Sequence, residues 1–203
     1  MNNYLVLLPV LLPLALGYAS LHIKFENDEK RTKYSIICTA INSVIVFAML
    51  FAMRGASVNV FDFTQTLGIK FKIDGLGCVF AAMVSFLWPL ATIYASEYMH
   101  HEGKMQKFFA FYLMTFGVTV GLAFSANMLT MYLCYEALTF ITLPLVTHSM
   151  DKRAEYAGKK YLIYSVGGAS LSFVGMMLML FYNGSIEFAH GGIVTVNEPV
   201  LLV

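Results

Sequence analysis

The sequence has few charged residues. Asp, Glu, Lys and Arg make up 12% of its 203 residues, and 59% are hydrophobic. A soluble domain carries about 25% charged residues, so the composition excludes an ordinary globular domain and indicates a polytopic membrane protein. The net charge is only +1, and no basic cluster is interleaved with aromatic residues. We therefore expect no nucleic-acid partner.

Cysteine is also scarce. The three cysteines, Cys38, Cys78 and Cys134, lie in separate apolar segments without the spacing of metal ligands. We interpret them as small buried hydrophobic residues. The sequence thus predicts no metal site, no iron-sulfur site and no cofactor, and we expect no catalysis by this chain itself.

Long apolar runs dominate the rest of the chain. A membrane-spanning helix takes about 20 residues, and six runs reach that length, at about 5–23, 34–53, 76–98, 108–124, 128–148 and 161–182. We predict an all-α integral membrane fold with a six-helix bundle over residues 1–183. The remaining residues, 184–203, form an extracytoplasmic tail. Its Pro199 follows a polar pair and precedes an apolar run, which predicts the start of a further helix.

A different pattern separates helices 2 and 3. Residues 69–73 alternate apolar and basic side chains, which is a strand signal. Apolar residues at 58–63 can supply a partner strand, with Gly68 near the turn. We predict a small β-hairpin outside the membrane. Because so short a hairpin is unstable alone, we expect it to pack on a neighbouring segment.

Basic residues are distributed unevenly among the loops. Ten of them lie in loops 1, 3 and 5, and three lie on the opposite side of the bundle. The ten are Lys24, Lys30, Arg31, Lys33, Lys104, Lys107, Lys152, Arg153, Lys159 and Lys160. The positive-inside rule predicts that loops 1, 3 and 5 are cytoplasmic. The N-terminus, the hairpin and the tail are then outside.

Glu136 is the most informative residue, because it is the one formal charge in the apolar stretch 128–147. A carboxylate at mid-membrane costs about 2.5 kcal/mol or more, so it must face protein or water. Tyr132 and Thr139 share its helix face, and Pro144 frees a backbone carbonyl nearby. Burial favours the neutral form of a carboxyl group, and a nearby cation favours the charged form. Glu136 is therefore a candidate for loading and releasing protons. The alternative is a Glu that only hydrogen-bonds a neighbouring helix.

Three cytoplasmic-side residues are further candidates. Lys160 and Lys159 open predicted helix 6, and Glu136 lies roughly 18 Å from the cytoplasmic end of helix 5. We therefore expect no direct ion pair with Lys160, and coupling needs water or a third residue. The alternative is a lysine that only snorkels to the membrane surface. His148 is a candidate because histidine is the residue type that most readily exchanges protons at physiological pH, although a boundary His can equally be a bystander.

Five segments together resemble one known family. They are residues 72–76 (KIDGL), 93–99 (IYASEYM), 107–112 (KFFAFY), 126–136 (ANMLTMYLCYE) and 157–164 (AGKKYLIY). The segments are similar to the antiporter-like proton-pumping subunits of respiratory complex I. That family also includes Mrp-type cation/proton antiporters and membrane-bound energy-converting hydrogenases. The resemblance concerns the N-terminal half of such subunits.

The resemblance implies roles for particular residues. In the family, a helix-5 Glu and a helix-6 Lys belong to a first half-channel that moves protons through buried water and charged side chains. Glu136 would be the proton-loading carboxylate, and Lys160 its charge partner. Family members continue with later helices that carry further Lys, His or Glu residues. This chain contains no such helices.

The expected function follows from the family. We expect a subunit of an ion-translocating complex in the inner membrane of a bacterium or archaeon, moving H⁺ or Na⁺. Redox chemistry in partner subunits of an NADH:quinone oxidoreductase-like or hydrogenase-like complex would drive it, or a cation gradient would. Its partners would be the lipid bilayer and other membrane subunits, including one that supplies the missing later helices. The alternatives are a non-pumping structural or assembly subunit, a truncated fragment, and an unrelated homo-oligomeric transporter or channel.

Overall fold

The computed structural model describes residues 3–64, 66–102, 105–149, 151–189 and 192–193, without the side chains of 100–102. It confirms the predicted fold class, with six helices long and apolar enough to cross a membrane and a two-stranded hairpin. The elements are α1 (Leu8–His22), α2 (Asp28–Ala52), β1 (Ser57–Asp62), β2 (Gly68–Lys72), α3 (Gly75–Glu102), α4 (Met105–Ala123), α5 (Met128–Val146) and α6 (Lys152–Asn183). A 3₁₀ turn, Tyr4–Leu7, precedes α1. The further helix predicted at 197–203 lies outside the described residues.

Helix α4 forms the centre of the bundle and is the most enclosed of the six. It packs along α1, α3 and α5, and α6 lies at the edge against α5. Close approach of α1 and α4 depends on glycine. A Cβ at Gly117 would lie 2.4 Å from the Val10 carbonyl oxygen, and one at Gly17 would lie 2.6 Å from that of Ala110. Small residues at such crossings let helix backbones touch in membranes.

Two helices begin earlier than the hydrophobic runs predict. Helix α2 begins at Asp28 and α6 at Lys152, because side-chain interactions stabilise charged first turns that hydropathy leaves out. The Asp151 carboxylate accepts a 2.6 Å hydrogen bond from a backbone N–H at the start of α6. In α2, Glu29 lies in the first turn, where negative charge is favourable, and pairs with Lys33 at 2.6 Å. Hydropathy therefore located the bilayer-spanning part of each helix but not its full length.

The hairpin forms as predicted and packs on the turn between α4 and α5. Strands β1 and β2 pair antiparallel, with an irregular register near Asn59. The Lys72 N–H donates to the Phe124 carbonyl at 2.7 Å, and the Ala126 N–H donates to the Lys70 carbonyl at 3.0 Å. The turn thus extends the hairpin by one short strand-like segment and supplies the neighbour that it needs.

The first residues of the tail continue this arrangement. The Met128 N–H donates to the Ile186 carbonyl at 3.0 Å, and the Phe188 N–H donates to the Ala126 carbonyl at 3.2 Å. Lys70 and Glu187 form an ion pair of 2.5 Å across the turn. The hairpin, the α4–α5 turn and residues 186–188 therefore cap the same end of the bundle.

Candidate functional site

Glu136 lies near the middle of α5, whose first turn is capped by Asn127. The Asn127 side chain accepts a 2.8 Å hydrogen bond from the Thr130 N–H. Glu136 itself is half-buried. Its carboxylate makes no ion pair within the part of the chain that the structure describes. The site therefore contains one carboxylate in an apolar helix with no fixed counter-charge from the described residues.

Three contacts set the alignment of α5 against α6. They pair Tyr132 with Phe173, Thr142 with Tyr161, and Thr147 with Gly158. Since the two helices are antiparallel, these pairings place Glu136 level with Gly168 and Ala169. Glu136 shares its helix face with Leu143 and Thr147, both of which approach Gly158 on α6. Glu136 is thus on the side of α5 that faces α6.

The part of α6 that faces Glu136 includes Ala169, which is buried and lies eleven residues after Gly158 on the same helix face. A Cβ added at Gly167 or Gly168 would have no described atom within 4 Å. Both glycines are exposed and lie on sides of α6 other than the one that Gly158 and Ala169 present to α5.

Tyr132 and Thr139, the two residues predicted to share the helix face of Glu136, differ in their surroundings. Thr139 is 4% exposed and donates to the Tyr135 carbonyl at 3.2 Å. The Tyr132 ring packs on Phe173, with centroids 5.5 Å apart. Tyr132, Tyr135 and Ser172 help to line a cavity of about 270 Å³ between α4, α5 and α6. A water molecule occupies roughly 30 Å³ of liquid volume, so this cavity can hold several.

Lys160 lies away from Glu136 in this chain. It is more than two turns after the start of α6, about 200° around the helix from Gly158, which contacts α5. Its ammonium group is 4.7 Å from the centroid of the Tyr156 ring on the same helix. Lys159 is also exposed, about 100° from Gly158. Both lysines lie on parts of α6 that the described residues leave uncovered.

His148 lies in the turn after α5, more than three turns from Glu136. It is half-buried, and its ring packs edge-on against Phe108 of α4, with centroids 5.5 Å apart. His148 is therefore at the end of the bundle where α6 begins. The structure does not bring it next to Glu136.

Sequence reasoning missed Tyr161. Its hydroxyl oxygen is 2.7 Å from the Thr142 hydroxyl oxygen, so the two side chains join α5 and α6 by a hydrogen bond. The sequence did contain one signal for this bond, namely a hydroxyl-bearing residue in each of two antiparallel helices that are joined by a short connection. Register was the missing information, because the sequence does not reveal that Gly158 lets α6 approach Thr147. Among the described residues, no group of three or more His, Cys, Asp or Glu side chains could hold a metal ion.

The fold and the site define a class of protein, a multi-pass membrane subunit with a half-buried carboxylate near the middle of one membrane-crossing helix. Residues 61–109 match the family described as NADH-Ubiquinone oxidoreductase (complex I), chain 5 N-terminus. Residues 125–197 match the family described as NADH:quinone oxidoreductase/Mrp antiporter, TM. Together the matches cover more than half of the chain. The chain belongs to the family of antiporter-like membrane subunits related to complex I and the Mrp antiporters.

A curated relative is similar over part of its length. The Na(+)/H(+) antiporter subunit A1 of Staphylococcus aureus strain N315 is 28% identical over 116 residues, which is 56% of this chain and 14% of the relative. The same subunit from strain Newman matches over the same extent. The chain therefore aligns with only a small part of these antiporter subunits.

Two solved structures share the fold. One is a chain of the membrane-bound sulfane sulfur reductase, an archaeal respiratory membrane complex, with a TM-score of 0.70 and 17% identity. The other is a chain of respiratory complex I from Thermus thermophilus, also with a TM-score of 0.70 and 17% identity. The alignments cover 91% and 90% of this chain but 39% and 38% of those chains. The fold thus corresponds to less than half of each.

Proposed function

We propose that this chain translocates protons as one subunit of a larger membrane complex, with Glu136 as the proton-loading carboxylate. One observation carries the proposal: a single half-buried carboxylate in the middle of an apolar membrane-crossing helix, on the side that faces α6. An ionisable residue at that depth is costly to insert, and such residues mark ion pathways. The membership of the chain in an antiporter-like family supports the same reading.

The chemistry is a change of protonation driven by a change of surroundings. A dry groove favours the neutral carboxylic acid, and water or an approaching cation favours the carboxylate. Opening the groove between α5 and α6 on alternate sides would let Glu136 take a proton from one side and release it to the other. The energy would come from redox chemistry in partner subunits or from a Na⁺ gradient, and the same carboxylate can serve either H⁺ or Na⁺.

Lys160 contributes to this function through a partner. It lies on the face of α6 opposite α5, so a direct ion pair with Glu136 is not part of the proposal. A further segment or subunit supplying later helices would cover that face. Burial of Lys160 and Lys159 under that segment would remove water from around them. Their positive charges would then be less screened on the other side of α6. His148 would act at the end of the same pathway, where protons exchange with the aqueous phase.

The orientation in the membrane is also a proposal. Loops 1, 3 and 5 would be cytoplasmic, and the N-terminus, the hairpin and the tail would be outside the inner membrane of a bacterial or archaeal cell. The capped end of the bundle supports this arrangement, because residue 3 donates a 3.1 Å hydrogen bond to the Ser57 carbonyl of β1. These segments would therefore share one side.

The test is the substitution Glu136→Gln in the intact complex. The change keeps the size of the side chain and removes its ionisable proton. We expect the complex to assemble normally while proton flux in everted membrane vesicles falls to background. The matched control is Glu155→Gln on the exposed first turns of α6, which should leave flux unchanged.

A non-transporting scaffold is the second candidate, and the separation of Lys160 from Glu136 favours it. Under that function, Glu136→Gln would leave flux unchanged and alter only the amount of complex that assembles. The same vesicles therefore distinguish the two candidates, provided that subunit content is quantified beside flux.

A further inference from the structure

We propose that the hydroxyl groups of Tyr161 and Thr142 pass protons between Glu136 and the end of the bundle at which α6 begins. The inference rests on the proposed role of Glu136 and adds to it the route by which the carboxylate reaches the aqueous phase. The two oxygens are 2.7 Å apart, and both side chains are half-buried between α5 and α6.

The hydrogen bond between the two hydroxyls can point in either direction. The Thr142 hydroxyl oxygen is 2.8 Å from the Leu138 carbonyl and 3.1 Å from the Thr139 carbonyl, as well as 2.7 Å from Tyr161. When Thr142 donates to its own helix, Tyr161 donates to Thr142. When Thr142 donates to Tyr161, the helix carbonyls keep their backbone partners. In either direction of the Tyr161–Thr142 hydrogen bond, every buried donor on α5 therefore has an acceptor.

Reversible polarity is what a proton relay needs. As a proton arrives at the Tyr161 oxygen from the aqueous side, the proton that Tyr161 held passes to Thr142. Thr142 passes its own proton onward in the direction of Glu136. Each hydroxyl ends with one proton, nothing is oxidised or reduced, and the only net change is one proton added to the carboxylate. The opposite direction follows by the same steps in reverse.

Thr139 connects this pair to Glu136. Thr139 is three residues after Glu136, and Thr142 is three residues after Thr139. Residues at this spacing have Cβ atoms about 5–6 Å apart on a helix. One water molecule can bridge side chains over such a gap. Each step of three residues also moves partway around α5, from the side of Glu136 toward Tyr161. The carboxylate and the hydroxyl groups therefore form an oblique row along the helix.

The competing explanation is that the Tyr161–Thr142 bond only holds two membrane helices together. Such bonds average about 0.6 kcal/mol in membrane proteins, so a purely structural bond predicts a small effect on assembly and none on flux. Removing the hydroxyl while keeping the shape separates the two explanations. Thr142 can be tested with two substitutions, because valine has the same shape without the hydroxyl group and serine keeps the hydroxyl group in a smaller side chain.

The experiment compares Thr142→Val, Thr142→Ser and Tyr161→Phe in everted vesicles that contain the intact complex. Proton flux is driven by respiratory substrate or by a Na⁺ pulse and recorded with a pH-sensitive dye. The matched controls are Thr119→Val, whose hydroxyl donates to the Thr115 carbonyl within α4, and Tyr164→Phe, which is exposed on α6. Glu136→Gln is measured in the same series, and subunit content is determined for every variant.

We expect Thr142→Val and Tyr161→Phe to lower flux about tenfold at unchanged subunit content, the effect of one lost hydrogen bond in the transfer step. Thr142→Ser and both controls should keep normal flux. Normal flux in both Thr142→Val and Tyr161→Phe, with Glu136→Gln inactive, would overturn the relay and leave the role of Glu136 standing. Equal losses in Thr142→Ser and Thr142→Val would also overturn it, because packing and not the hydroxyl would then matter.

Two further outcomes are decisive. Should Thr142→Val fail to assemble, Tyr161→Phe decides alone, since it removes one oxygen atom and no carbon. Unchanged flux in Glu136→Gln would refute the proposed function, and the relay with it.

Discussion

Asn42 shows how one buried residue compensates for a proline on another helix. Pro13 has no N–H, so the Pro9 carbonyl in α1 loses its helical donor. The Asn42 side chain, fully buried in α2, donates to that carbonyl at 3.3 Å. The polar side chain of Asn42 in a membrane-crossing helix is thus explained by the hydrogen bond that it donates to the Pro9 carbonyl.

Replacing Asn42 with Ala should therefore destabilise the chain. We expect a loss of about 1–3 kcal/mol, because the Pro9 carbonyl would remain buried without a donor. The measurement is the midpoint of thermal unfolding in detergent. Ser170→Ala, an exposed change on α6, is the control and should shift the midpoint little. Equal midpoints for the two variants would contradict the role of Asn42.

At the scale of elements, two glycines inside membrane-crossing helices have opposite environments. A Cβ at Gly117 would collide with the Val10 carbonyl at 2.4 Å, whereas one at Gly167 would meet nothing within 4 Å among the described atoms. Gly117→Ala should separate α1 from α4 and cost about 1–3 kcal/mol. Gly167→Ala should be neutral or stabilising by up to about 1 kcal/mol, because Ala favours helix.

Unfolding midpoints of the two Ala variants in the same detergent test this contrast. A tolerated Gly117→Ala would mean that α1 and α4 do not approach as closely as described. A strongly harmful Gly167→Ala, measured in the isolated chain, would mean that this face of α6 is already covered.

Asn127 connects the membrane helices to the hairpin through two separate bonds. Its side-chain oxygen accepts from the Thr130 N–H at 2.8 Å, and its nitrogen donates to the Gly68 carbonyl at 2.8 Å. Asn127→Ala removes both bonds, whereas Asn127→Asp keeps the cap and removes only the bond to Gly68. We expect the Ala variant to lose about 1–2 kcal/mol more than a cap-preserving change.

Limited proteolysis of the hairpin, together with the unfolding midpoint, separates the contributions of the two hydrogen bonds. Asn127→Asp should loosen the hairpin with a small change in midpoint, and Asn127→Ala should change both. Identical behaviour of the two variants would show that the cap contributes nothing measurable.

The sequence predicted these elements unevenly, for physical reasons. Bilayer thickness sets the length of an apolar run, so all six helices could be located, and alternation over 69–73 revealed β2. The starts of α2 and α6 could not be located from hydropathy, because charged first turns extend both helices beyond their apolar runs. The turn of α6 is capped by Asp151, and that of α2 carries the Glu29–Lys33 ion pair. The direction of Lys160 and the meeting of Tyr161 with Thr142 depend on the register of α6 against α5, which the close contact at Gly158 helps to set.

At the scale of the whole molecule, the two ends of the bundle differ. One end carries the hairpin, the α4–α5 turn and residues 186–188, joined by backbone hydrogen bonds. The opposite end carries most of the basic residues. This asymmetry predicts the orientation in the membrane, with the basic end in the cytoplasm.

Single-cysteine labelling in a background without Cys38, Cys78 and Cys134 tests the orientation. Val60→Cys, exposed on β1, should react with a membrane-impermeant maleimide on intact cells. Lys152→Cys, at the start of α6, should react only after permeabilisation. The reverse pattern would place the hairpin in the cytoplasm and contradict the proposed topology.

The central claim is that an ionisable carboxyl group at position 136 is required for proton transfer. The most direct measurement is proton flux in vesicles with equal amounts of complex containing Glu136, Glu136→Asp or Glu136→Gln. The shorter Asp keeps the ionisable proton, so we expect partial flux in Glu136→Asp and background flux in Glu136→Gln. Wild-type flux in Glu136→Gln would contradict the account, because no proton could then be loaded at that side chain.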